Sequence, residues 1–511
     1  MKLLTTILAV GATVPLAAQK PAQNSKPAQK PAQKRMNILF IAIDDLKPNI
    51  GACGNTYAHT PVMDKLAGEG ALFTHCYVQQ AVSGPTRASL MTGLRPDRTR
   101  VWDLQTNFRQ VNPNVISMPQ IFIQNGYNTQ AFGKIYHETS CSPGHDADSW
   151  SIPYTYLSKP TYAIAKGRPV AECADVPDET YRDGAMVQYV IDAMDKLAAD
   201  KSKPFFLAAG FQRPHLPFVA PKKYWDLFDR DSLPLEEFQS MSKNGPAIAY
   251  HNSPGLRRYS DIPKFDSYSP DPKDHMPADV QRYAIHGYLA ATAYTDANIG
   301  KIIAHLEEKG LRDNTIIVIW GDHGWHLGDH GLWTKMTNFE QATRGLLIMD
   351  VPGKKEGIQP TGMCEFVDIF PTLFDLTGIK IPSWIDGKSM AGMLDDPGYQ
   401  IKPYSMSQYP RDGGVMGYTI RTPRYRYTEW IKNFKTNQKY DPSLVVAREM
   451  YDYDKDPKET VNVVDEPDYS AAAKRMKAMF VECMDREYTA DAAYDKRASW
   501  QKPIKMTGKD E

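Results

Sequence analysis

Two groups of acidic residues each follow an apolar run, and the two runs are far apart in the sequence. Asp44-Asp45 ends the first run and Asp322-His323 ends the second. Both runs have the near-continuous apolar pattern of buried parallel strands. Because the carboxyl ends of such strands meet at one crevice of an open sheet, we expect these four side chains to face one point. Taken alone, each pair would also fit a turn or a helix cap.

Carboxylate-rich sites suit a hard divalent cation. The stretch after Asp322 also contains His323, His326 and His330, a set that could indicate zinc. Their spacing matches no standard zinc motif, and the acids elsewhere favour a harder ion. The residues therefore predict Ca²⁺, in preference to Mg²⁺.

A third segment combines a potential nucleophile with a cation. Ser83 precedes Pro85, which predicts the start of a helix running to Gly93, and Arg87 follows one turn on. This places the serine side chain at the positive end of a helix, where anions bind. An isolated pentapeptide of this kind is more often a capping serine with a surface arginine. The physical alternative is an anion site with a nucleophile at its entrance.

The extended pattern resembles the signature of the sulfatase family, C/S-x-P-x-R followed by Leu/Met-Thr-Gly. Further landmarks of that family occur in order, namely Asp44-Asp45, Gly133-Lys134-Ile135-Tyr136-His137, Asp322-His323-Gly324 and Lys335. The resemblance extends from residue 36 to about residue 460. It implies a sulfuric ester hydrolase in which Ser83 is converted by a sulfatase-maturing enzyme to formylglycine, whose hydrate is the nucleophile. Serine here is a bacterial variant of a position that is Cys in other members.

The resemblance also implies a role for each matching residue. The implied metal ligands are Asp44, Asp45, Ser83, Asp322 and His323. The side chains implied to neutralise the sulfate are Arg87, Lys134 and His215. His137 or His323 is the implied general base, and His215 or Lys335 the implied general acid, with the choice left open.

Within the family, the resemblance is greatest to enzymes that remove the 2-sulfate of iduronate. It rests on segments 79–87, 95–100, 213–218, 322–325 and 407–411. It implies an exo-acting enzyme for 2-O-sulfated iduronate or unsaturated uronate in heparin, heparan sulfate, chondroitin or dermatan oligosaccharides. Lys134 and His215 are expected to bind this substrate, and Lys335 or Arg344 to bind its carboxylate.

Three alternatives remain beside this interpretation. One is a sulfatase of other specificity, such as a hexosamine 6-O-sulfatase. Another is a phosphomonoesterase or phosphodiesterase of the same superfamily, which an unmodified serine and two metal sites would favour. The last is a non-catalytic protein that binds sulfated glycans through the same basic residues.

The elements that must position these residues alternate between strands and helices, which predicts a doubly wound α/β fold. The predicted strands are 37–43, 128–132, 204–209 and 315–320, and the predicted helices are 61–70, 85–93 and 279–309. The resemblance implies an alkaline-phosphatase-like, mostly parallel mixed sheet between helices, in a catalytic domain at 36–395. The pattern of residues 396–511 predicts a smaller antiparallel sheet with one helix at 469–486. Residues 240–280 are predicted to form a long surface excursion.

The N-terminal sequence and the composition indicate the cellular location of the protein and exclude some partners. Residues 1–18 predict a secretory signal, and residues 19–35 a tether with three Lys-Pro-Ala-Gln repeats. The 60 basic and 60 acidic residues cancel, which argues against a general nucleic-acid binder. Six scattered cysteines permit one or two disulfides. We expect a soluble, exported protein without a membrane span, in a bacterial periplasm.

Overall fold

The computed structural model describes residues 35–138, 141, 143–155, 157–269, 271–433 and 440–495. The predicted signal at 1–18 and the tether, apart from Arg35, lie outside these residues. The strands of the central sheet are β1 Asn37–Ile43, β2 Ala71–Leu72, β3 Asn128–Gly133, β4 Phe205–Phe211, β5 Thr315–Gly321 and β6 Leu347–Asp350. Their order is β2-β6-β5-β1-β4-β3. β1, β3, β4 and β5 run parallel, and β6 pairs antiparallel to β5.

Helices cover both faces of this sheet. The helices of seven or more residues are α1 Pro61–Glu69, α2 Ser83–Thr92, α3 Met118–Gln124, α4 Arg182–Ala199, α5 Ala278–Glu308, α6 Ile369–Thr377 and α7 Ser470–Asp495. Phe40 of β1 lies in one core cluster with residues of α2, α3 and α6. Its neighbour Ile41 lies in another with residues of α1, α4 and α5. Since successive side chains of a strand point to opposite faces of the sheet, the apolar residues of β1 pack against the helices on both faces. The predicted sheet between two layers of helices is confirmed.

Helix α2 begins earlier than predicted. Its first residue is Ser83 and its N-cap is Val82, so Pro85 is the third helical residue. The prediction that Ser83 only precedes the helix was wrong, because the first-turn amides have no partner within a helix and proline is tolerated there. Ser83 consequently points from the first turn into the interior.

The C-terminal part contains the expected antiparallel sheet. Its strands are β7 Ser405–Arg411, β8 Val415–Arg421, β9 Tyr425–Lys432 and β10 Val445–Asp452, paired in sequence order. Phe480 of α7 packs in one cluster with Met406 and Tyr427. The smaller sheet with a helix is thus present, while a domain division between residues 395 and 396 stays a prediction.

Short elements complete the described chain. Two-stranded pairings join Ala171–Ala174 to Phe218–Pro221, Cys76–Tyr77 to Cys364–Glu365, and His326–Leu327 to Trp333–Thr334. The predicted excursion at 240–280 contains short 3₁₀ turns before α5. All six cysteines are free thiols in the structure, whereas the sequence permits one or two disulfides. None of the helices among the described residues has the length and apolar character needed to cross a membrane.

Candidate active site

The two acid clusters meet at the carboxyl edge of the sheet. β1 and β5 are adjacent and in parallel register, so the residues after Ile43 and Gly321 lie side by side. The Asp45 backbone N–H donates to Asp322 Oδ1 at 2.9 Å. Asp45 has a φ of 63°, a left-handed conformation that aspartate tolerates better than most residues. This turn lets the consecutive carboxylates of Asp44 and Asp45 both enter the buried cluster.

Ser83 lies within hydrogen-bonding distance of this cluster. Its Oγ donates to Asp44 Oδ1 at 3.0 Å and lies 3.4 Å from His323 Nε2. The opposite nitrogen of His323, Nδ1, is 2.9 Å from the carbonyl oxygen of Gly324, which can only accept a hydrogen bond. Nδ1 therefore holds the proton, and the Nε2 lone pair faces the acids and residue 83.

Arg87, which the resemblance implies would neutralise the sulfate, binds two of the acids directly. Its Nε donates to Asp322 Oδ2 at 2.9 Å and its Nη2 to Asp44 Oδ1 at 3.3 Å. Its Nη1 donates to the carbonyls of Lys134 and Ile135. The side chain is fully buried. The structure thus places Arg87 where it fixes two carboxylates and the Lys134 turn relative to one another.

Two lysines complete the charge balance of the cluster. Lys134 donates to Asp44 and Lys335 donates to Asp45, with the Lys335 ammonium 5.0 Å from the centre of the Trp325 ring. Burial opposes ionisation of Asp44, but Lys134 and the other cations hold its pKa well below the usual value. Burial and the neighbouring acids raise the pKa of Asp45 to about 6. Of the three carboxylates, Asp45 is therefore the one whose charge the surrounding cations compensate least, although Lys335 pairs with it.

The donor set fits a divalent metal ion. Asp45 Oδ2 is buried without a hydrogen-bond partner. Asp45, Asp322 and His323 place ligand atoms within 4.8 Å of one another, and Asp44, Asp45 and His215 form a second such group. His323 donates Nδ1–H to a backbone carbonyl, as metal-binding histidines commonly do. Among the described residues, neither group includes His326 or His330, so the histidine-only zinc set does not form.

A cavity of about 310 Å³ opens beside the acids. Lys134, His137 and His215 line it, so three of the predicted catalytic residues share one space. Burial, with Lys134 as the next contribution, lowers the pKa of His137 to about 3. Burial likewise lowers the pKa of His215 to about 3. Both imidazoles are therefore neutral near pH 7.

The tautomer of His215 follows from its backbone contact. Its Nδ1 is 2.6 Å from the carbonyl oxygen of Leu216 and must donate, so Nε2 has the lone pair. That Nε2 lies 3.7 Å from Asp45 Oδ2. His215 thus faces both the cavity and the acids.

The expected carboxylate-binding residues lie elsewhere. Lys335 contacts Asp45 and is buried, and it is not among the described residues that line the cavity. Arg344 lies 4.0 Å from Glu340, which also binds Arg421 and Tyr77. The structure therefore places Arg344 in a separate polar cluster.

Sequence reasoning missed a histidine that orders the Lys134 turn. His145 Nε2 accepts the backbone N–H groups of Ile135 at 3.1 Å and Tyr136 at 2.9 Å. Burial lowers the pKa of His145 to about 3, which keeps this nitrogen available as an acceptor. Nothing in the local sequence signals this contact, because it depends on the fold of segment 143–149.

Two closely packed glycines fix the position of the Lys134 turn relative to the acids. The Lys134 N–H donates to the Gly210 carbonyl at 2.8 Å. A Cβ at Gly210 would overlap the Lys134 backbone, and one at Gly133 would overlap the Gly210 carbonyl. The strand ends thus approach so closely that only glycine fits, and Lys134 is held over the acids.

A mostly parallel sheet with a set of metal-donor side chains at its carboxyl edge, a buried serine and a basic cavity is typical of a hydrolase of anionic esters. The model of the family described as Sulfatase matches residues 36–379, and one described as N-sulphoglucosamine sulphohydrolase, C-terminal, matches residues 328–486. The chain therefore belongs to the sulfatase family, and it is a sulfuric ester hydrolase. Formylglycine is typical of that family.

Individual relatives agree with this assignment. Iduronate 2-sulfatase of Mus musculus is 32% identical over 84% of this chain and 91% of its own length. N-acetylglucosamine-6-O-sulfatase of Bacteroides thetaiotaomicron is 27% identical over 92% of this chain and 89% of its own. A solved structure in complex with D-glucosamine-2-N,6-O-disulfate has a TM-score of 0.72 at 22% identity, and covers 89% of this chain and 98% of its own. This last likeness confirms the alkaline-phosphatase-like fold.

Proposed function

We propose that this protein is an exo-acting sulfatase that removes the 2-O-sulfate of a uronic acid residue from sulfated glycosaminoglycan oligosaccharides. The observation that carries the proposal is the position of Ser83, within hydrogen-bonding distance of Asp44 and 3.4 Å from His323. The likeness to iduronate 2-sulfatase of Mus musculus supports the choice of a uronate 2-sulfate. A cavity of about 310 Å³ suits one terminal sugar better than the interior of a polymer.

Three residues of the chain have separate roles in the proposed reaction. Formylglycine made from Ser83 and a divalent ion would supply a nucleophilic hydroxyl and polarise it. Lys134 lines the cavity and donates to Asp44, which also binds Ser83, so it is placed to bind the non-bridging sulfate oxygens, where a fixed cation stabilises developing charge. Arg87 holds Asp44 and Asp322 in place. The site thus offers preorganised positive charge to the reacting group.

Proton transfer falls to two cavity histidines. A His323 that binds a metal through Nε2 cannot also accept a proton there, which leaves His137 as the general base. His215 is the general acid toward the leaving alcohol, because it also lines the cavity and an adjacent sulfate anion raises the pKa of an imidazole. Lys335 is bound to Asp45 and stabilises the cluster.

We propose Ca²⁺ as the metal, in preference to Mg²⁺. Asp44, Asp45 and Asp322 supply oxygen ligands with one histidine, and Ca²⁺ tolerates such an irregular arrangement better than Mg²⁺ does. Three carboxylates face Arg87, Lys134 and Lys335, so the cluster is near neutral by itself. A bound divalent ion would give the site the net positive charge that attracts a sulfate ester.

A hexosamine 6-O-sulfatase is the second candidate function. The likeness to N-acetylglucosamine-6-O-sulfatase of Bacteroides thetaiotaomicron favours it, at a lower identity than that to the iduronate enzyme. We further propose that residues 1–18 direct export to a bacterial periplasm, and that a sulfatase-maturing enzyme oxidises Ser83.

Peptide mass spectrometry of active protein tests the nucleophile. Formylglycine at position 83 has two hydrogen atoms fewer than serine. Full turnover by protein in which Ser83 is entirely unmodified would contradict the proposed chemistry and would favour an ordinary phosphatase-like serine. Turnover assays on defined sulfated disaccharides then test the specificity.

A further inference from the structure

We propose that Arg182 is the cation that binds the carboxylate of the substrate's uronate ring, and that it thereby determines specificity. This inference rests on the proposed function, since a uronate 2-sulfate presents two anions on one ring. The sulfate lies against Lys134 and the metal cluster, so the carboxylate needs a cation of its own. A carboxylate that leaves water without a partner is costly to bind.

The cavity itself points to Arg182. Of the described residues that line it, Lys134 and Arg182 are the two with permanent positive charge. Lys134 donates to Asp44 at the sulfate end. Arg182 also lines a smaller adjoining cavity, together with Lys159 and Arg213, so positive potential extends along this side. The guanidinium fork can bind a carboxylate through two parallel hydrogen bonds.

The position of Arg182 is fixed relative to the catalytic loop. Arg182 is the first residue of α4, and its neighbour Asp183 is buried. The Asp183 carboxylate accepts the backbone N–H groups of Gln212 at 2.9 Å and Arg213 at 2.7 Å. These residues begin the loop that presents His215. The cation and the proposed general acid are therefore held on one rigid unit, with the cavity between them.

Glu138 occupies the place that the substrate carboxylate would take. Its Oε1 lies 3.8 Å from an Arg182 nitrogen, and its side chain is 60% exposed, compared with 27% for Arg182. An exposed ion pair of this kind contributes at most about 1 kcal/mol. A ring carboxylate positioned by the bound sulfate can displace it, because the second contact of an anchored ligand costs little additional entropy.

Matched substrates and variants test this role. Matured wild-type enzyme and Arg182→Gln are assayed on a 2-O-sulfated uronate disaccharide and on the same disaccharide with its C6 carboxylate reduced to an alcohol. We expect Arg182→Gln to lower kcat/KM about 100-fold on the carboxylate substrate, and less than about 3-fold on the reduced one. Arg182→Lys should recover part of the loss, because it restores the charge without the fork. Glu138→Gln removes the competing carboxylate, and it should therefore raise kcat/KM on the carboxylate substrate.

Binding provides a readout that does not depend on turnover. In a Ser83→Ala background, calorimetry should show that Arg182→Gln weakens binding of the carboxylate disaccharide and leaves that of the reduced one unchanged. An equal loss on both disaccharides, or no loss on either, would overturn the assignment of Arg182. Cleavage of hexosamine 6-sulfates and of no uronate 2-sulfate by wild type would instead overturn the proposed function.

Discussion

Ser83 Oγ donates a hydrogen bond of 3.0 Å to Asp44 Oδ1, so the residue proposed to become the nucleophile contacts the cluster of acids directly. Helix α2 and strand β1 bring the two side chains together from positions 39 residues apart. Replacement of Ser83 by alanine should abolish turnover, since no other side chain can be converted to formylglycine there. The same change should lower the free energy of unfolding by about 1 kcal/mol, the net value of one hydrogen bond. Thermal unfolding and a turnover assay together check this, and residual turnover above a few per cent would contradict it.

Calcium should stabilise the folded protein through Asp45. At a Ca²⁺ concentration 100 times Kd, a single site raises the free energy of unfolding by about 2.7 kcal/mol. Thermal unfolding of metal-stripped protein should show this rise, and Asp45→Asn should remove it, because Oδ2 is the orphaned buried oxygen. Lys354→Ala, which alters a surface pair with Asp395, is the control and should keep the rise. If the protein contains stoichiometric zinc and no calcium after careful metal exchange, the assignment of Ca²⁺ to these ligands is wrong.

His145 should make stability depend on pH and should order the Lys134 turn. The unfolded chain binds a proton at His145 near pH 6.5, whereas the folded protein does so only near pH 3. Acid therefore favours the unfolded state, and stability falls as the pH drops from 6.5 toward 3, by up to about 1.4 kcal/mol per pH unit. His145→Gln keeps an acceptor for the Ile135 and Tyr136 amides, so it should retain most turnover and lose part of this pH dependence. His145→Ala should reduce kcat/KM at least 10-fold, and unchanged pH profiles of stability in both variants would refute the role.

The contact between Gly210 and Lys134 should be intolerant of a methyl group. Gly210→Ala pushes a Cβ into the Lys134 backbone, so both turnover and stability should fall, stability by about 2 kcal/mol or more. Gly68→Ala is the matched control, because a Cβ at Gly68 meets nothing within 4 Å. It lies inside α1 and should gain about 0.5–1 kcal/mol. Equal effects of the two substitutions on kcat/KM would show that the close approach has no functional consequence.

The sequence was informative wherever one local pattern decided the outcome. The apolar run before Asp44 predicted a strand buried on both faces, and parallel topology predicted that Asp44 and Asp322 would meet. The sequence was less informative about the start of α2, because proline is tolerated in the first turn of a helix and so does not mark one exact starting residue. It could not predict the contacts of Arg87, His145 or Arg182. Each contact joins segments that only the tertiary fold brings together.

The most direct test of the account compares kcat/KM for two defined substrates of the matured enzyme. One is a disaccharide with a 2-O-sulfated uronate at its non-reducing end, and the other is N-acetylglucosamine 6-sulfate. We predict a preference of at least about 1,000-fold for the uronate, because a neutral sugar offers no carboxylate to Arg182 and presents its sulfate from a different ring carbon. Efficient cleavage of the 6-sulfate, with no cleavage of the uronate 2-sulfate, would contradict it.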